Sequence, residues 1–143
     1  DRIKGFNEVI SKYPDIKVVA KQNGEGNREK ALTVMESILT ANKEINAVFT
    51  INDEEATGVQ IAQEQASRQD EFFVVSVDGA PAAVDALKKG GSFAGTSAQL
   101  PNQMVIDGVA LALKIIDGEK VESEVLIPTE FITQENVDSY KGW

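Results

Sequence analysis

Two short stretches carry the residues best placed to do chemistry. Phe73-Val74-Val75-Ser76-Val77 is an apolar run that stops at Asp78-Gly79-Ala80-Pro81. Ala47-Val48-Phe49-Thr50-Ile51 stops in the same way at Asn52-Asp53-Glu54-Glu55. Each reads as a buried strand ending in a polar side chain where a helix begins. In open parallel sheets, ligands bind just outside the carboxyl ends of the strands. Asn52 and Asp78 on neighbouring strands therefore form a candidate wall for a ligand rich in hydroxyls or other hydrogen-bonding groups. Each also has a purely structural reading. Asn52 caps the next helix, with Glu55 as its capping-box partner. Asp78 caps the helix that starts near Pro81, and such caps contribute about 1 kcal/mol each.

Other chemistries fit less well. Asp53 at a strand end could be a phosphoacceptor, but that needs an acidic metal pocket, and helix geometry turns Glu54 and Glu55 away from it. Gly24-Glu25-Gly26 resembles part of a phosphate loop and lacks the Gly-Lys-Ser ending. No spacing picks out an acid–base pair of carboxylates. The charged face over 27–30 reads as solvated surface, and Trp143 as packing or a terminal anchor.

Composition removes whole classes. The chain contains no histidine and no cysteine. The commonest general base and transition-metal ligand are absent, together with thiolate and disulfide chemistry. No calcium loop of the helix–loop–helix type is present, and the residues imply no cofactor. A net charge of −9 opposes nucleic-acid binding, which needs clustered Lys and Arg. It opposes anionic membrane surfaces equally. No run of about 20 apolar residues exists to insert into a membrane. The chain starts at Asp1 already in helical pattern, which suggests a cut inside a longer protein.

The elements that must position Asn52 and Asp78 alternate regularly. A helix is predicted over 1–13, ended by Tyr13-Pro14, then a strand over 16–20 and a turn-rich loop to Asn27. A helix capped by Asn27 follows, with Ala31, Val34, Met35, Ile38 and Leu39 on one stripe. Then come a strand over 46–51, a helix over 53–67 and the strand ending at Asp78. A helix over 81–89 is closed by Gly90-Gly91, and a strand spans 93–98. The small residues Ala56, Gly58, Val59 and Ala62 predict a helix packed close on a sheet. This alternation implies an α/β fold, an open, mostly parallel sheet with helices on both faces. The last third differs. A helix over 102–117 is apolar nearly all round and calls for neighbours on several sides. Short extended pieces flank Pro128, and the tail over 134–143 reads as a short polar helix.

In this order of elements, several motifs resemble one family. They are Arg2 with Gly5-Phe6, Leu32-Thr33-Val34-Met35, Asn52-Asp53-Glu54, Val77-Asp78-Gly79, Ala98-Gln99-Leu100-Pro101, Gly118-Glu119-Lys120-Val121 and Thr133-Gln134-Glu135-Asn136-Val137 through Tyr140. The chain resembles the C-terminal half of a periplasmic sugar-binding protein of the ribose-binding type, the soluble receptor of an ABC importer. The resemblance implies a type I periplasmic binding protein fold, whose two lobes close on a sugar. Residues 1–99 would be the second lobe. Residues 100–128 would cross the hinge and place a helix on the missing first lobe, and 129–143 would be the return strand and tail. It implies sugar contacts at Arg2, Asn52, Asp78 and Gln99, with Arg2 and Asp78 free to pair when the site is empty. A stacking aromatic expected in the loop before the second helix is replaced by Gly26.

The implied function is reversible binding of a monosaccharide, a pentose or hexose, and its delivery to a membrane permease, with no catalysis. The implied location is periplasmic, or extracellular and lipid-anchored in a Gram-positive organism. The alternative is the effector-binding domain of a sugar-responsive bacterial repressor, which shares this fold and requires an upstream DNA-binding segment. If the chain exists without a first lobe, the apolar helix is expected to oligomerise, swap or stand exposed.

Overall fold

The computed structural model describes residues 1–143. Five helices and four strands follow one another: α1 (Arg2–Ile10), α2 (Arg28–Ala41), β1 (Ala47–Phe49), α3 (Asp53–Gln65), β2 (Phe73–Asp78), α4 (Pro81–Lys89), β3 (Phe93–Ala98), α5 (Pro101–Ile116) and β4 (Glu130–Ile132). Local chemistry sets several boundaries. Pro81 and Pro101 open their helices, where a missing N–H costs nothing. Asn27 and Asn52 cap α2 and α3 through side-chain oxygens that accept from the backbone N–H of Lys30 and Glu55. Gly90, at φ 81°, stops α4 in a conformation that side chains resist.

The sheet order is β1-β2-β3-β4. The first three strands are parallel and β4 runs antiparallel to β3. The sheet is thus mixed and mostly parallel, as the alternation implied. Side-chain alternation along β2 separates two faces. Val74 and Ser76 are buried, whereas Phe73 remains half exposed. The buried face carries the core, where Met35, Leu39, Val59, Ala62, Leu87 and Phe93 pack with Val74. The opposite face has only α1 upon it, where Phe6 stacks on Phe49 at 4.5 Å between ring centroids.

Gly58 serves a second neighbour besides the sheet. A Cβ there would lie 2.2 Å from the Arg28 carbonyl oxygen and 2.9 Å from the Leu32 nitrogen. The small stripe of α3 therefore admits α2 as well as the sheet. Two expectations are corrected. Residues 16–20 run straight but pair with no strand, because the edge of β1 beside them is separated from them by a cavity. Residues 134–139 form successive turns, anchored by Val137 in the core, instead of a helix. Of the extended pieces expected around Pro128, the second holds β4, and 125–128 pairs with no strand.

No residue of α5 is buried. Val105, Ile106, Val109, Leu113, Ile115 and Ile116 are all more than half exposed. No helix is long and apolar enough to cross a membrane.

Candidate functional site

The carboxyl ends of β1, β2 and β3 lie side by side, and polar side chains converge there. Asp78, the last residue of β2, is the centre. Its Oδ1 accepts from Arg2 Nη2 at 2.8 Å and from Gln99 Nε2 at 2.6 Å. Arg2 comes from the first turn of α1 and also donates through Nη1 to the Ile51 carbonyl at 2.5 Å. It therefore bridges the ends of β1 and β2. Gln99 follows β3, and its backbone N–H donates to the Asp78 carbonyl at 2.8 Å. Three of the four expected site residues, Arg2, Asp78 and Gln99, are joined directly.

Asn52 is adjacent but bonded elsewhere. Its Oδ1 accepts from Glu55 N at 2.9 Å, and its Nδ2 donates to the Gly26 carbonyl at 3.1 Å. It caps α3 and ties down the loop before α2. The capping box is only half made. The Glu55 carboxylate accepts instead from Gly26 N at 2.9 Å and Ile51 N at 3.4 Å. Glu55 is buried by this loop, which explains Gly24: a Cβ there would meet Glu55 Oε1 at 2.6 Å.

The backbone at Asp78 is unusual. Its φ is 139°, a region side chains rarely adopt, costing about 1–3 kcal/mol unless the surroundings hold it. They do. Gly79 N donates to Thr96 Oγ1 at 3.1 Å, Tyr140 Oη donates to the Gly79 carbonyl at 3.2 Å, and Ala80 N donates to Asp53 Oδ2 at 2.8 Å. Gly79 itself has no room for a Cβ, which would lie 2.5 Å from that of Ala98.

Asp53 is the buried hub beneath this turn. Besides Ala80 N, it accepts from Thr96 Oγ1 at 2.8 Å and from Ser76 Oγ. Burial raises its pKa above the usual carboxylate value, and the nearby Asp78 charge adds to the rise. Hydrogen bonds from Ser76, Ala80 and Thr96 oppose it. All of its oxygens are spent inside the protein, so it supports the site without lining it.

Two further residues reach this edge. Trp143 Nε1 donates to the Asp78 carbonyl at 3.1 Å, with the ring about half exposed. Tyr140 holds the next carbonyl. The sequence treats both as tail residues, and only the turns over 134–139, anchored by Val137, bring them back over β2. No group of three or more carboxylates is arranged to hold a metal ion.

The free valences define the chemistry. Asp78 Oδ2 and Gln99 Oε1 have no protein donor, and the Arg2 guanidinium and the Asn52 amide keep unused N–H groups. The edge thus presents acceptors and donors side by side, which suits hydroxyls that do both. Arg2, Asp78 and Gln99 are held by one another, and Asn52 is held by Glu55 N and the Gly26 carbonyl.

A family model described as a periplasmic binding protein domain matches residues 1–120. The ribose import binding protein of Salmonella typhimurium is 36% identical over 135 residues, which is 94% of this chain and 45% of that protein. The D-allose-binding periplasmic protein of Escherichia coli is 32% identical, over 93% of this chain and 44% of its own length. Among solved structures, a periplasmic solute binding protein from Actinobacillus succinogenes with bound D-allose superposes at a TM-score of 0.89. It shares 34% identity and covers 95% of this chain and 48% of its own. One from Bacillus halodurans with bound myo-inositol also reaches 0.89, at 32% identity and 97% and 48% coverage. The chain thus spans a little under half the length of these relatives. With that match over 1–120 and these identities along nearly its whole length, the chain belongs to the periplasmic binding protein family.

Proposed function

We propose that this chain is one lobe of the soluble sugar-binding component of an ABC importer, and that it holds one wall of a monosaccharide site. The observation that carries the reading is the convergence of Arg2, Asp78 and Gln99 at the carboxyl edge of the parallel sheet. The relatives described above are binding proteins for transport, not enzymes, and two of the solved ones hold D-allose or myo-inositol. Both ligands are ringed with hydroxyls, the groups that the free valences of this edge would meet. Arg2 donates, Asp78 accepts, Gln99 and Asn52 do either, and a second lobe supplies the opposing wall as hinge bending closes the cleft.

In this reading residues 1–99 are the lobe, 100–128 cross to the other lobe, and 129–143 return. The exposure of every apolar side chain along the outer part of α5 supports the crossing, since that surface suits a protein neighbour. The family implies a periplasmic location, and the permease of an importer is the partner to which sugar is delivered. The Gram-positive variant of this assignment, an extracellular lipid-anchored receptor, has the same chemistry. The repressor alternative draws no support from these relatives.

The test is thermal unfolding of the two-lobed protein against a panel of pentoses, hexoses and inositols. One or a few are expected to raise the midpoint in a saturable way. No shift with any polyol at millimolar concentration contradicts the assignment.

A further inference from the structure

The two peptide groups that follow Asp78 are held from two directions. Strand β3 and helix α3 take their N–H ends, through Thr96 Oγ1 for Gly79 N and Asp53 Oδ2 for Ala80 N. The tail over 134–143 takes their carbonyl ends. Tyr140 Oη is the only donor to the Gly79 carbonyl, and Trp143 Nε1 shares the Asp78 carbonyl with Gln99 N. A hydrogen bond at one end of a peptide plane fixes a point and lets the plane rock about it. Bonds at both ends fix the plane. A residue at a disfavoured φ persists only where its surroundings over-determine it, and Asp78, at φ 139°, needs both sets.

The tail is built to arrive at this turn. Ile132 of β4 and Val137 are both buried, so the chain is pinned on each side of the turns between them. Asn136 shapes those turns: its Oδ1 accepts from Thr133 N at 2.7 Å and its Nδ2 donates to the Phe131 carbonyl at 3.0 Å. Tyr140 then packs against the core, and its hydroxyl comes so close to residue 79 that a Cβ there would lie 2.7 Å from it. Burial first, then the charges of Glu130 and Asp53, raise the Tyr140 pKa above its ordinary 10.0 against an opposing hydrogen bond with Trp143, so the hydroxyl keeps the proton that it donates. Trp143 is about half exposed, and apolar burial does not account for its place. Its one hydrogen bond, to the Asp78 carbonyl, does.

We propose that Tyr140 and Trp143 are positioning residues for sugar binding: they clamp the two carbonyls after Asp78 and so aim its free carboxylate oxygen at one sugar hydroxyl. The proposal rests on the reading of Asp78 as a sugar contact. Arg2 and Gln99 occupy Asp78 Oδ1, which leaves Oδ2 for the ligand. The direction of Oδ2 is set by the backbone that carries it. Loss of either tail donor frees one peptide plane, and the carboxylate then samples directions that miss the hydroxyl. Neither ring needs to touch the sugar for this.

The experiment is calorimetric titration of the two-lobed protein with D-ribose, D-allose and myo-inositol. Wild type is compared with Tyr140→Phe and Trp143→Phe, each alone and combined with Asp78→Ala. Both phenylalanines keep an aromatic ring and remove the donor. Each is expected to weaken binding by about 3-fold to 10-fold, the weight of a neutral hydrogen bond. In the Asp78→Ala background neither should weaken it further, since a residue that acts through Asp78 then has nothing to act upon. Losses that persist undiminished after Asp78→Ala overturn the proposal, as does affinity untouched by the phenylalanines. If Tyr140→Phe does not fold, Trp143→Phe at its half-exposed position decides. A second readout needs no sugar. The Gln99 side-chain amide resonances report its bond to Asp78 Oδ1, and both variants should shift them by more than a linewidth. Unmoved resonances overturn the proposal, and this readout decides where Asp78→Ala binds too weakly to titrate. Failure of all three compounds to bind wild type, or affinity unchanged by Asp78→Ala, removes the sugar wall and the proposal with it. A loss at Asp78 with none at the tail removes the proposal alone.

Discussion

The carboxyl edge over β1–β3 and the region around α1, Ile16–Gln22 and α5 were built from the same alternation of helix and strand, yet they differ in one respect. At the edge each polar side chain has at least one partner inside this chain. Asp53 collects three donors, Asp78 collects two on one oxygen, and Gly79 is held at both its N–H and its carbonyl. Around α1 and α5 the surfaces are apolar and open, and Lys17–Gln22 leave their backbone groups free. The polar edge is thus organised within this chain, whereas α5 and Lys17–Gln22 leave apolar surface and backbone groups open.

The comparison is broken most forcefully by truncating leucines on either side of it. Leu87, on the buried face of α4 and 1% exposed, should cost about 2–5 kcal/mol when replaced by alanine. In the 143-residue chain, Leu113→Ala on α5, at a position 56% exposed, should change stability by no more than about 0.5 kcal/mol. Urea unfolding of the two variants checks both. A comparable loss at Leu113 means that α5 packs on something.

Asp53 sharpens the account of the edge. Asp53→Ala strands Ser76 Oγ, Thr96 Oγ1 and Ala80 N, and should cost about 1–3 kcal/mol at neutral pH. The pH dependence has a defined sign. Its folded pKa lies above the ordinary value of 3.8, so its favourable contribution is complete below that pH. It declines as pH rises through the folded pKa, because the unfolded chain ionises first. Asp53→Asn should remove this decline, read from unfolding midpoints across the acid range. A wild-type curve that gains stability over the same interval from this residue contradicts the assignment.

Much of this edge was legible beforehand. The bounds of α4 and β3 were readable because Pro81, Gly90 and Gly91 punctuate them, and the end of β2 because its apolar run stops at Asp78; β1 ends at Phe49, short of the expected 51. What was not legible was convergence. Asp53 looked like a strand-end acid, and its role as a hub depends on Ser76 and Thr96, which are separated from it in sequence and brought together by strand order. Trp143 and Tyr140 could not be placed over β2 without the turns that return the tail. The strand character of 16–20 was readable in its residues, but pairing belongs to a neighbour, and no residue pattern within the segment reports whether a neighbour is there.

The smallest expected effect lies at the opposite end of the sheet. Arg68 donates to Glu71 and also to the Leu39, Asn42 and Lys43 carbonyls that close α2. The hydrogen bonds from Arg68, and then from Ile45 N, lower the Glu71 pKa from 4.5 to about 2. A lowered folded pKa contributes stability that is present above pH 4.5 and lost as pH falls toward 2. Glu71→Gln should flatten that acid limb and leave sugar binding unchanged. An unaltered acid limb removes Glu71 from the account.

The most direct test of the central claim is calorimetric titration of the two-lobed protein and its Asp78→Ala variant with the sugar that stabilises it. Asp78 is the carboxylate at which Arg2 and Gln99 meet, and a charge-assisted hydrogen bond contributes about 1.5–3 kcal/mol. The account predicts that Asp78→Ala weakens binding by about 10-fold or more while the protein remains folded. Equal affinity in the two proteins would contradict it and move the sugar site away from this edge.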